Sequence, residues 1–133
     1  MVLDTSALLA ILQDEPARAA LVRAIDSAPS RSMSAATFVE CSIVVSSRFG
    51  AEGLRDLDHF VTKAEIQIVP VDADQAYLAR NAYRQYGKGQ HAASLNLGDC
   101  FAYALAVALG EPLLFVGDDF ARTDVARHPA SYE

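Results

Sequence analysis

Short apolar runs separated by stretches with helix punctuation constrain the fold of this chain more than any other feature. Val2-Leu3, a brief stretch near Met33, the run Ile66 to Val71 and the run Pro112 to Val116 are strand candidates. Thr5 to Leu12 reads as helix, and Asp14-Glu15-Pro16 ends it and starts another reaching about Ala28. Pro29 to Ser32 is a turn, and Ser34 suits the N-cap of a long apolar helix from Ala35 to Phe49, closed by Gly50. A further helix from Ala51 to Ala64 places Leu54, Leu57, Val61 and Ala64 on one face. Ile66, Ile68, Val69 and Val71 are β-branched and predict a buried strand. Asp72 with Gln75 resembles a capping box that opens a helix to about Tyr86. Gly87 to Leu95 is expected to be a polar, flexible loop, and Gly98 to Leu109 a strongly apolar helix ended by Gly110.

Strands that alternate with helices in this way predict an α/β domain with a mostly parallel sheet. A length of 133 residues suits one domain, and no repeat or Gly/Ser-rich linker divides it. With 52% hydrophobic and 21% charged residues, the chain is expected to pack a core rather than stay disordered. No apolar run reaches the length of a membrane span. Met1 leads directly into Val2-Leu3-Asp4 with no basic segment before a longer apolar one, so a cytoplasmic protein is expected. Cys41 and Cys100 form no CxxC pair and are expected to be buried free thiols. A formal net charge of −6 excludes a protein that holds nucleic acid by bulk positive potential. It leaves room for a nuclease with a local basic strip and cations among its carboxylates.

Several acids stand where a core-building sequence would not place them. Asp4 follows Val2-Leu3, Glu40 sits between Val39 and Cys41 within an apolar helix, Asp99 begins the run Cys100 to Leu105, and Asp118-Asp119 follow Leu113 to Val116. Singly, each has an ordinary explanation: helix cap, solvent-facing position or turn residue. Jointly they lie at element ends or in apolar surroundings, where an ionised carboxylate is costly unless a cation or hydrogen bonds compensate it. Carboxylates brought together also raise one another's pKa unless positive charge is supplied. Mg²⁺ meets that need with oxygen ligands and retained waters. In open α/β sheets ligands bind at the carboxyl ends of strands where the strand order reverses, and Asp4 and the Asp118-Asp119 pair both lie just past a strand. Of that pair, Asp118 is expected to face the site, with Asp119 capping a short helical turn at Phe120-Ala121-Arg122.

Asp4-Thr5-Ser6-Ala7, Glu40 in mid-helix, Asn96-Leu97-Gly98-Asp99 opening an apolar helix, and Leu113 through Phe120 together resemble a PIN domain. The resemblance is to the VapC-type toxin ribonucleases of bacterial toxin–antitoxin pairs and runs from Met1 to about Val125. It implies a PIN-like three-layer α/β fold with a short central sheet flanked by helices. It further implies an endoribonuclease that uses Mg²⁺, with Mn²⁺ as a substitute, and hydrolyses RNA phosphodiester bonds. By position, Asp4 and Asp99 match the family's metal ligands, Glu40 an acid supporting the metal or its waters, and Asp118 or Asp119 the fourth acid. The family implies a homodimer held inactive by a cognate VapB-like antitoxin. One departure is that Gly117 stands three residues before Phe120, where the family often carries its last acid.

Arg80, Arg84, Lys88 and His91, with Tyr83 and Tyr86, form a basic and aromatic strip just upstream of Asp99. It reads either as phosphate contacts with base stacking or as a solvated helix face. His59, His91 and His128 have no metal-ligand spacing, and Thr5 and Ser6 have no partnered base, so a carboxylate-bonded hydroxyl or a cap suits them better than a covalent nucleophile. A phospho-acceptor receiver domain calls for a lysine just past the last strand, where this chain has Val116-Gly117-Asp118. A dehalogenase-type phosphatase calls for a second Asp where Ser6 stands. A catalytically inactive PIN-like module that only binds a partner is the remaining alternative.

Overall fold

The structure is a computed structural model, and it describes residues 1–131. Its centre is a four-stranded sheet in which every pairing is parallel, in the order β3-β2-β1-β4. The strands are β1 (Val2–Leu3), β2 (Ser32–Ser34), β3 (Gln67–Val69) and β4 (Leu113–Leu114). Around them run α1 (Thr5–Leu12), α2 (Arg18–Ser27), α3 (Ala35–Lys63), α4 (Ala73–Tyr86) and α5 (Leu97–Leu109), with a short 3₁₀ turn at Phe120–Arg122.

Side chains of a strand alternate between the two faces of its sheet, and that period builds the two cores. Leu3, Met33 and Leu114 point to one side and pack with Leu8, Leu21, Ile25, Val45 and Leu57 of α1, α2 and α3. Val2, Leu113 and Phe115 point to the other and pack with Ala79, Tyr86, Cys100 and Leu105 of α4 and α5. The expected three-layer arrangement is therefore present, and the sheet is wholly rather than mostly parallel. Both cysteines are buried free thiols, as expected. No helix among the described residues is long and apolar enough to cross a membrane.

The caps follow the sequence closely. Ser34 caps α3 by accepting from the Ala36 N–H, and Gly110 closes α5 in the left-handed conformation that favours glycine. Gly50, at φ 66°, does not end a helix outright but kinks α3 between the two helices expected there.

Three expectations need correction. The β-branched run does not form a buried strand, because β3 is an edge strand with only one neighbour. Ile68 and Val71 are exposed, while Ile66 alone is buried in the core. Gly87 to Leu95 is not a loose loop. A parallel bridge joins its ends, the Lys88 N–H donates to Leu95 O and the Leu95 N–H to Tyr86 O, and Ala93 and Leu95 are buried. Asp72 does cap α4 through the Gln75 N–H, but Gln75 Nε2 turns to Pro70 O and no reciprocal box forms.

Candidate active site

The strand order creates the site. From β1 the chain builds outward through β2 and β3, then returns to place β4 on the other flank of β1. The crevice between the ends of β1 and β4 is thus the point where the order reverses, and ligands bind in such crevices. Asp4 stands at the end of β1, where its N–H donates to Leu114 O of β4 at 3.1 Å.

Asp4 is 3% exposed and serves as the N-cap of α1. Its Oδ2 accepts from the Ser6 N–H at 3.0 Å and from the Ser6 hydroxyl at 2.6 Å. The Ser6 oxygen in turn accepts from the Val116 N–H at 3.0 Å, which straps the start of α1 to the segment after β4. Asp4 Oδ1, in contrast, is buried with no hydrogen-bond donor. Burial pushes the Asp4 pKa up to about 6 against the lowering effect of Ser6, and the negative charge of Glu40 adds to the rise.

Asp99 comes from the first turn of α5. Asn96 and Asp99 form a reciprocal capping box: the Asp99 N–H donates to Asn96 Oδ1 at 2.8 Å, and the Asn96 N–H to Asp99 Oδ2 at 3.0 Å. The box fixes the Asp99 side chain while α5 buries the residue among apolar neighbours. Burial is the main cause of its pKa rising to about 7, with Asp4, Asp119 and Glu40 each raising it further. Glu40, two turns into α3, is half-buried, and the Thr5 hydroxyl donates to its Oε1 at 2.6 Å. The fields of Glu40, Asp4 and Asp99 therefore overlap, although the residues come from three separate segments.

Of the adjacent pair, Asp119 is the acid whose charge reaches Asp99. Its own pKa is raised by desolvation and by Asp118. Asp118 faces outward with a side chain 63% exposed, loosely paired with Arg122 at 3.8 Å. Asp119 begins the 3₁₀ turn without donating or accepting a side-chain cap bond. Both acids are exposed, and Gly117, with φ 104°, makes the turn that carries the chain from β4 toward the 3₁₀ turn.

The donor set suits a hard divalent cation. It consists of carboxylate oxygens, one of them buried without a partner, and two of its acids have their pKa raised by burial and by one another's negative charge. Among the described residues, no three acids, histidines or cysteines converge tightly enough to enclose a metal by themselves.

Outside the acids, Arg80 lies over the Tyr77 ring at 4.8 Å. Arg80 and Arg84 line a groove of about 350 Å³ together with Tyr83, Leu97 and Phe101, so it reaches the first turn of α5. Lys88 and His91 are exposed on the following segment. His91 has structural work there: its Nδ1 accepts from the Ala93 N–H, and its ring meets Tyr86 edge-on at 5.2 Å. Sequence reasoning missed the Tyr103 hydroxyl, which donates to Asp124 Oδ1 and ties the segment after Asp119 to α5. Nothing local in either residue's surroundings could have signalled a pair so far apart in the chain. It also passed over Gly98 as no more than a helix start.

The model for the PIN domain matches residues 1–126. The chain is 56% identical over 126 residues to a protein of Mycolicibacterium smegmatis named ribonuclease VapC, covering 95% of this chain and 98% of that one. It is 51% identical over 126 residues to ribonuclease VapC30 of Mycobacterium tuberculosis, covering 95% and 96%. Among solved structures, VapC20 of Mycobacterium tuberculosis, described as a sarcin-ricin loop cleaving toxin, superposes with a TM-score of 0.76 at 15% identity, covering 96% and 97%. VapBC2 of Rickettsia felis, bound to a DNA fragment from its promoter, gives a TM-score of 0.76 at 15% identity, covering 99% and 98%. These two structures are similar in fold.

Proposed function

The chain belongs to the PIN-domain family, among its VapC-type ribonucleases, and from that premise we propose that it cleaves RNA at a divalent-cation centre formed by its gathered acids. It is a toxin endoribonuclease of the VapBC kind, and residues 1–133 are read as a single PIN-like unit. The observation that carries the metal reading is Asp4 Oδ1, a buried carboxylate oxygen without a donor in the midst of other acids.

Asp4 and Asp99 would hold Mg²⁺, or Mn²⁺ in its place, with Glu40 and Asp119 supporting its waters. When bound, such a cation supplies charge neutralisation at the phosphoryl group and acidifies water for attack. The chain's own residues do the rest. Ser6 occupies one oxygen of Asp4 and leaves the other free for the site. Asn96 locks the Asp99 side chain, and Thr5 orients Glu40. Such outer hydrogen bonds set the direction and basicity of the carboxylates they hold. Arg80, Arg84 and Lys88 would bind RNA phosphates along the groove that leads to α5, with Tyr83 offering a face for base stacking.

Regulation follows from the same electrostatics. A cognate VapB-like antitoxin would close the acid crevice with an arginine, whose guanidinium replaces the cation's charge and grips a carboxylate bidentately. The protein would act in the cytoplasm as a homodimer. Asp99→Asn and EDTA test the centre together, because asparagine keeps the capping-box acceptor while removing the charge. The variant should lose RNA cleavage and keep its fold by circular dichroism, and EDTA should silence the wild type. Cleavage that survives either treatment sinks the metal mechanism.

A further inference from the structure

Gly98 is the second residue of α5, between the capping residue Asn96 and the acid Asp99. It is not among the residues with positive φ, so its backbone imposes no need for glycine. Alanine is the better helix former in such a position. The reason for glycine lies in space: a Cβ built there would fall onto Oε2 and Cδ of Glu40 and lie 2.8 Å from Oε1. The carboxylate of Glu40 thus occupies the volume that any other side chain at position 98 would need.

We infer that Gly98 is a positioning residue for the acid centre, reserving the place in which Glu40 rests against the first turn of α5. Glu40 is held from two directions. The Thr5 hydroxyl grips Oε1 from α1, and the bare Cα of Gly98 admits Oε2 from the side of α5. A helix N-terminus carries unsatisfied N–H groups and partial positive charge, so the first turn of α5 is also a favourable neighbour for a carboxylate. With any larger residue at 98, one of two things must give. Glu40 leaves its place and loses Thr5, or the first turn of α5 moves and carries Asp99 with it. Either displacement alters the spacing of Glu40 and Asp99 about Asp4. Asp4 comes from the end of β1, Glu40 from α3 and Asp99 from α5, and this steric notch lets the two helices bring their carboxylates together.

This inference rests on the cation-centre reading above, and the test is a double-mutant cycle of Gly98→Ala with Glu40→Ala. Mn²⁺ affinity is read from the free-ion electron paramagnetic resonance signal without RNA, and Tm is read in EDTA. Gly98→Ala should weaken Mn²⁺ binding by about tenfold or more, the usual loss when a residue that orients a ligand is changed. Its Tm should gain less from the alanine than it does when Glu40 is absent. With Glu40→Ala already present, the same alanine should leave Mn²⁺ affinity unchanged and raise Tm, since the space is vacant and only helix propensity remains. Wild-type Mn²⁺ binding in the Gly98→Ala protein, or an equal change of Tm with and without Glu40, overturns this inference alone. A wild-type protein that binds no Mn²⁺ overturns the cation-centre reading and this inference with it.

Discussion

Asp4 shows how one residue serves fold and site at once. Its Oδ2 caps α1 by accepting from Ser6, whose hydroxyl oxygen reaches the segment after β4, while Oδ1 is left buried without a donor. A capping carboxylate ordinarily finds water for its second oxygen, and burial removes that option. The same logic separates Asp118 from Asp119. The exposed Asp118–Arg122 pair contributes about 0.5 kcal/mol at most, since solvent screens it. Asp119 instead acts on Asp99. Asp119→Asn should lower RNA cleavage by about tenfold or more, whereas Asp118→Ala should change it by no more than about twofold. Parallel cleavage assays decide the matter, and the opposite ranking would return the role of fourth acid to Asp118.

The element that matters most outside the acids is α4 with the segment that follows it. Tyr86 begins an ordered return: the bridge between Gly87 and Leu95 and the His91 ring against Tyr86 bring the chain to Asn96 at a fixed position, from which α5 starts. Order in this segment therefore sets where Asp99 lies. Arg84 lines the groove that reaches α5, and Lys88 is exposed on the segment that follows α4. If these two cations contact phosphates, the double variant Arg84→Ala/Lys88→Ala should bind RNA more weakly and with a salt slope shallower by about 1 to 2 on logarithmic axes. Its Mn²⁺ affinity should match the wild type. An unchanged slope in a filter-binding titration would assign both residues to a solvated helix face.

Across the whole molecule, the buried acids link stability to pH. Asp4 and Asp99 titrate at about 6 and about 7 in the fold, above the ordinary range near 3.8 that the unfolded chain retains. Between these limits the two acids bind more protons in the folded state than in the unfolded one, so their contribution to the stability of the metal-free protein falls as pH rises, against a smaller opposite effect of His128, whose pKa burial lowers. The contribution is fully present below about pH 4, falls through about pH 6 to 7, and levels off above that. Thermal melts in EDTA from pH 5 to pH 8 should show Tm declining, with Asp99→Asn flattening part of the decline. Mg²⁺ at about a hundred times its Kd should restore about 2.7 kcal/mol at pH 8, where the carboxylates are ionised and free to bind it. A Tm that rises with pH in EDTA, or that ignores Mg²⁺ at pH 8, contradicts the assignment of these two acids.

The amino-acid sequence by itself determined the element order, the caps and the acids, because each is written in neighbouring residues. Ser34 before an apolar helix, Gly110 after one, and Asn96 three residues ahead of Asp99 are local signals with local causes. The motifs around Asp4, Glu40 and Asp99 also carried the family resemblance. What only the tertiary structure decided depends on distance between segments. The run from Ile66 to Val71 is β-branched wherever it lies, and its place at the sheet's edge follows from strand order, which no single run encodes. Asp118 and Asp119 are alike in composition, and only the fold brings the charge of Asp119 to bear on Asp99. The contact of Gly98 with Glu40 joins residues on two helices, α5 and α3, that are far apart in the chain and meet only in the fold. Propensity acts along the chain, whereas burial, field and steric exclusion act through space, and the site is built from the latter.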